Sequence, residues 1–135
     1  MRDCSQYQIT KIFIDDCGMT DLQLSQILDG HRLQGKWLNT FAYTSGLLGD
    51  QSCSQLVALL PQLQEIQLVN INGPGQKLIY QSILEQCLNN APQLRKIKLS
   101  NINLNDLVIV EKLCKIIEQK DLVSTLDLSW ARLSA

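Results

Sequence analysis

The sequence predicts an α/β fold built from one strand–turn–helix unit repeated along the chain, with parallel strands side by side and helices over one face. Three observations predict it. The apolar residues of "LRKIKLSNINL" (94–104) recur at steps of three, two, three and two, which suits neither a lone amphipathic helix nor an alternating strand. The same pattern returns four more times at near-constant spacing. Segments of helical period lie between the occurrences.

Taken in order, "ITKIFIDDCGM" fits at Ile9, Ile12, Ile14, Cys17 and Met19, and "LNTFAYTSGLL" at Leu38, Phe41, Tyr43, Gly46 and Leu48. "LQEIQLVNING" fits at Leu63, Ile66, Leu68 and Ile71 and fails at Gly73. The opening stretch fits at Leu94, Ile97, Leu99, Ile102 and Leu104, and "VSTLDLSWARL" at Val123, Leu126, Leu128, Ala131 and Leu133. The first positions are 9, 38, 63, 94 and 123, so the intervals are 29, 25, 31 and 29 residues. Recurrence at a fixed period of this size marks stacked repeats.

The helices follow from the segments between. "TDLQLSQIL" carries Leu24, Ile27 and Leu28, with Thr20 and Asp21 as N-cap residues. "DQSCSQLVALLPQ" sets Cys53, Leu56, Leu59 and Leu60 on one face and stops at Pro61. "GQKLIYQSILEQCLNNAP" aligns Ile79, Ile83 and Cys87 and ends near Asn90. "NDLVIVEKLCKIIEQKD" presents Leu107, Val110, Cys114 and Ile117 as its apolar stripe.

On these motifs the chain, from about Ile9 to Leu133, resembles the leucine-rich-repeat family, and its long units resemble the ribonuclease-inhibitor-like subclass. The resemblance implies a horseshoe-shaped α/β solenoid of about 4.5 repeats, with a parallel sheet on the concave face and helices on the convex face. Parallel strands need a crossover to return, which the helices supply. One repeat cannot bury its apolar side alone, so stacking is obligatory. Cys17 fits the inner-turn position where the family often carries Asn or Cys; Gly46, Ile71, Ile102 and Ala131 depart from it, so packing must hold that turn. Asn70, Asn72, Asn101 and Asn103 lie beside it as turn residues.

Two units are irregular. The 25-residue unit should have a short helix or a tight return, and "NINGPGQK" is an insertion-like loop before the third helix. Residues 1–135 read as a single repeat domain. No folded cap precedes Ile9 and no helix follows the last pattern, so the expectation is a fragment of a longer solenoid, or a domain lacking its own caps, whose apolar ends can associate end to end.

Composition narrows the function. Twelve Lys and Arg against thirteen Asp and Glu give a formal charge of −1, which argues against a nucleic-acid partner. No apolar run reaches the roughly 20 residues that span a bilayer, so no membrane partner is expected. The N-terminal "MRDCSQYQIT" has no secretory h-region, and five cysteines without a Cys-x-x-Cys pair read as reduced thiols. A cytoplasmic protein is expected.

No catalytic, cofactor or metal site is assigned. "NGPGQK" (72–77) lacks the third glycine of a dinucleotide fingerprint and the Gly-Lys-Ser/Thr of a P-loop, and a strand-to-helix turn needs its Gly and Pro anyway. His31 is the lone histidine and has no nucleophile motif beside it. Cys53, Cys87 and Cys114 fall on apolar helix faces as small hydrophobes, while Cys4 is expected to be exposed. Asp15 and Asp16 point to opposite faces of a strand and lack a third ligand.

The resemblance implies protein–protein recognition on the concave sheet face, as a binding or scaffold module. The alternative is a sensor or autoinhibitory segment of a larger multidomain receptor or ligase adaptor; a nucleotide binder using "NGPGQK" ranks last. The outward strand positions are Lys11, Phe13, Asp15 and Asp16; Thr40, Ala42, Thr44 and Ser45; Glu65, Gln67, Val69 and Asn70. They continue as Lys96, Lys98, Ser100 and Asn101, then Thr125, Asp127, Ser129 and Trp130. Partner binding is assigned to Lys11, Phe13, Asp15, Glu65, Gln67, Lys96, Lys98, Ser100, Asp127 and Trp130, with Phe13 and Trp130 as the aromatic anchors that interfaces favour.

Overall fold

Each of the five apolar patterns contains one strand, which begins two residues into it. The computed structural model describes residues 9–15, 18–34, 37–71, 76–100, 102 and 104–128, without the side chains of residues 31–34, 76 and 77. In chain order the elements are β1 (Lys11–Asp15), α1 (Asp21–Gln34), β2 (Thr40–Thr44), α2 (Asp50–Leu59) and a 3-10 turn (Leu60–Gln62). They continue with β3 (Glu65–Val69), α3 (Gln76–Asn89), β4 (Lys96–Leu99), α4 (Leu107–Gln119) and β5 (Thr125–Asp127). The fold is therefore α/β, with a five-stranded, all-parallel sheet in sequence order and four helices among the described residues.

The repeat is visible in the backbone. At the foot of the sheet one carbonyl serves two amides in every strand pair. Thr10 O accepts from the Asn39 and Thr40 N–H groups, and Asn39 O from Gln64 and Glu65. Gln64 O accepts from Arg95 and Lys96, and Arg95 O from Ser124 and Thr125. At the far end, Ser45 and Asn70 adopt left-handed φ of 55° and 54°, closing the strand-to-helix turn at the same position of two units. Asn tolerates this region better than most residues, because its short side chain bonds locally. Here the Asn70 side-chain amide donates to Ser45 Oγ at 3.3 Å.

Side chains alternate across the strands as period two requires. Ile14, Phe41, Tyr43, Ile66, Leu68, Ile97 and Leu99 are buried on one face, together with Leu24, Leu28, Leu56, Leu59, Ile83 and Ile116 from the helices. The helices lie against one another in chain order. As expected for the shortest unit, α2 has 10 residues where α1 and α3 have 14, and Pro61 turns its end into the 3-10 segment. No described helix is long and apolar enough to cross a membrane.

Helix starts are fixed by side chains. Thr20 caps α1 reciprocally: Gln23 N–H donates to Thr20 Oγ1 at 3.2 Å, and Thr20 N–H donates to Gln23 Oε1 at 3.0 Å. Asp21 was expected at the same cap, but its carboxylate reaches the next helix instead. It accepts from the Gly49, Gln51 and Ser52 N–H groups at 3.0–3.1 Å, while Ser52 Oγ donates to Asp21 O. A Cβ on Gly49 would sit 2.6 Å from that carboxylate, so this close approach requires glycine. Asp106 caps α4 through Val108 N–H, and the Gln81 side chain of α3 holds its other oxygen at 2.8 Å.

Three expectations are corrected. In α4 the buried stripe is Ile109, Leu113 and Ile116, not Leu107, Val110, Cys114 and Ile117. "LVIVEKLCKII" is apolar on two faces, so helical period alone cannot choose between them. Cys114 is accordingly exposed, whereas Cys53 and Cys87 are buried as core filler. Ile9 is exposed at the start of the outer strand, where no further strand flanks it among the described residues. Asn72, Asn101, Asn103, Ala131 and Leu133 lie outside the described residues, as do Cys4, Cys17, the "NGPG" turn and the His31 side chain.

Candidate protein-binding face

The parallel register turns the outward strand positions into rows. The first row runs Lys11, Thr40, Glu65, Lys96, Thr125, and the second runs Phe13, Ala42, Gln67, Lys98, Asp127. Asp15, Thr44 and Val69 form a third. Strand spacing of about 4.8 Å makes each row a line of near neighbours. The structure thus brings together Lys11, Phe13, Asp15, Glu65, Gln67, Lys96, Lys98 and Asp127 on the helix-free side of the sheet. Trp130 and Asp16 lie outside the described residues.

The face has relief. Phe13 is 65% exposed, whereas Ala42 beside it is 5% exposed and Thr40 is also buried. Both short side chains stand in rows between longer ones, so they form a floor rather than the exposed positions expected of them. An aromatic ring thus borders a small-residue floor, with the Gln67 amide beyond. Thr40 Oγ1 donates to the Asn39 side-chain oxygen at 2.8 Å, which satisfies it without a partner.

Charge is mixed along the rows, and the cations gather at β4. Lys96 is exposed on β4 and stands between Glu65 and Thr125; Lys98 is half-buried between Gln67 and Asp127. Arg95, exposed just before β4, adds a third cation within four residues. The repeat pattern gives that position no outward role, so no sequence signal marks it. Asp15 carries negative charge on β1, at the opposite edge of the sheet.

Ser100 does not belong to this face. It is 3% exposed, its hydroxyl accepts from Asn70 N–H at 2.8 Å, and its own N–H donates to Leu68 O. With β4 ending at Leu99, residue 100 enters the turn and ties β3's exit to its own backbone. The turn chemistry of Asn70 overrides the strand alternation that placed Ser100 outward.

Two groups beneath the helices show how burial governs reactivity. Burial pushes the Cys87 thiol up to about 12, with the Lys120 ammonium acting weakly in the other direction, so it remains a neutral thiol. Burial also raises Cys53, assisted by Asp50 and Asp21 and opposed by a hydrogen bond with Ser82. Neither has the electropositive, accessible setting of a nucleophilic cysteine. Two solution-facing features therefore distinguish the sheet face: one aromatic ring beside a small-residue floor and a cation cluster at β4. No protein-family model, curated protein or solved structure matches the chain.

Proposed function

We propose that the chain is a non-enzymatic recognition module of the leucine-rich-repeat, ribonuclease-inhibitor-like type, binding a protein partner on the helix-free face of its sheet. The strand–helix units stack as a solenoid, and that face is its concave side. The observation that carries the reading is the exposed Phe13 beside the Ala42 floor, in the same row as Lys98. A large exposed aromatic at a rigid strand position offers contact area at little entropic cost, which is how interface anchors work. The strands fix its neighbours, so little ordering accompanies binding. Unpaired thiols at Cys53, Cys87 and Cys114 favour a reducing, cytoplasmic setting.

The test is affinity capture from a cytoplasmic extract with three forms of the chain. These are the wild type, a Phe13→Ala/Lys96→Ala/Lys98→Ala variant, and a helix-side Lys115→Ala/Glu118→Ala control. Hot-spot truncation costs about 2 kcal/mol or more per residue, so proteins held by the first and third forms should fall at least tenfold with the second. Equal recovery by all three contradicts the assignment of this face.

A further inference from the structure

Three cations gather at β4, inside the sheet. Arg95, Lys96 and Lys98 fall within four residues, and β4 lies between β3 and β5. The group therefore does not depend on where the sheet begins or ends. Parallel pairing sets Glu65 beside Lys96 and Asp127 beside Lys98. Yet the ion pairs among the described residues join Lys112 to Glu85 and Lys115 to Glu111, on the helices, and none engages Arg95, Lys96 or Lys98. An incoming anion can take these cations without breaking an existing ion pair.

The backbone fixes their positions. Arg95 N–H donates to Gln64 O at 2.7 Å, and Arg95 O accepts from the Ser124 and Thr125 N–H groups. Lys96 and Lys98 alternate with the buried Ile97, so they stand on the helix-free side. Lys96 is exposed and Lys98 is half-buried. Partial burial reduces screening and strengthens the pull of Lys98 on a counter-charge.

The kind of anion follows from the neighbours. Two carboxylates flank the three cations, so the local excess of positive charge is small. A phosphate would bring up to about two negative charges between Glu65 and Asp127, and nucleic acid needs a long basic stripe. A carboxylate brings a single charge. Along the row from Lys98, Gln67 comes next, then the Ala42 floor, with the Phe13 ring as the wall beyond. Two strand spacings separate Ala42 from Lys98 by about 10 Å. A polyproline-II chain returns every third side chain to one side and advances about 9 Å in doing so.

Resting on the recognition role proposed for this face, we infer that the partner presents an acidic linear segment lying across the strands. One apolar side chain of the segment packs on Ala42 against Phe13, and an Asp or Glu about three residues away pairs with Lys98 and Lys96. Gln67 lies beneath the segment between them, where its amide both donates and accepts. Arg95 extends the cationic ground towards the foot of the sheet.

The test selects short random peptides, displayed on phage, against the full chain and keeps those that Phe13→Ala no longer holds. These should carry an apolar residue with Asp or Glu about three positions away. Affinities are then measured by fluorescence anisotropy as a double-mutant cycle. Wild type and Lys96→Gln/Lys98→Gln each meet the selected peptide and a copy with its acidic residue changed to the matching amide. Loss of the carboxylate should weaken binding to the wild type about tenfold, the scale of one hydrogen bond to a charged group, and should change nothing in the Gln variant. Equal binding of the amide peptide by both chains shows that the variant is folded. Peptides that need Phe13 yet hold no excess of Asp and Glu overturn the inference and leave the recognition role standing. So does a carboxylate effect undiminished in the Gln variant. If no selected peptide depends on Phe13, the inference falls; if capture by the Phe13→Ala/Lys96→Ala/Lys98→Ala variant is also undiminished, the recognition role falls with it.

Discussion

Asp21 shows how much one side chain can organise. It starts α1, yet its carboxylate takes three N–H groups at the start of α2, a helix whose own N-cap residue is Gly49 and offers no side chain. Burial raises its pKa, but the hydrogen bonds from Ser52, Gly49 and Gln51 outweigh that and hold it below the ordinary 3.8. A lowered folded-state pKa contributes stability that is fully present above the unfolded-state value and is lost as pH falls through the folded-state value. Asp21→Ala should therefore lower stability by about 0.5–2 kcal/mol near neutral pH, the usual effect of losing a cap. The gap from wild type, measured by thermal melts, should narrow on acidification from about pH 5 to pH 3. Asp21 was legible in the sequence as a cap residue, but no local signal says which helix a carboxylate will cap when the two starts are 29 residues apart. Ser100 failed for a related reason: strand alternation predicts its direction, whereas the bond to Asn70 N–H across two units decides it.

Among the elements, the strands were the most legible and α4 the least. The 3-2 steps locate every strand because each strand begins two residues into its pattern, and the unequal intervals of 29, 25, 31 and 29 persist in the strand starts at 11, 40, 65, 96 and 125. Helix α4 misleads because Leu107, Val110, Cys114 and Ile117 have as good a helical period as Ile109, Leu113 and Ile116. Truncation distinguishes the two faces in the folded chain. Leu113→Ala should destabilise by about 2–5 kcal/mol, as for other buried leucines. Ile117→Ala in dilute solution should stay within about 0.5 kcal/mol, as surface changes do. Chemical denaturation of the two variants is the check, and equal losses would restore the expected stripe.

At the scale of the whole molecule, the parallel sheet presents its helix-free side, the proposed recognition surface, as a grid with one row per strand position. Its composition was read from the sequence almost residue by residue, since Lys11, Phe13, Asp15, Glu65, Gln67, Lys96, Lys98 and Asp127 do share one side of the sheet. Its relief was not, because the sinking of Thr40 and Ala42 depends on the size of their neighbours in adjacent strands. On the proposed reading, that relief and the cation cluster of Arg95, Lys96 and Lys98 select the partner, and a periodic pattern does not encode the relief. The most direct test of the sheet face as the binding surface is lysine footprinting. The captured complex and the free chain are reductively methylated, and modification is compared site by site by mass spectrometry. The account predicts that Lys11, Lys96 and Lys98 are protected in the complex while Lys115 on α4 is modified as in the free chain. Protection of Lys115 with undiminished modification of Lys96 would contradict it.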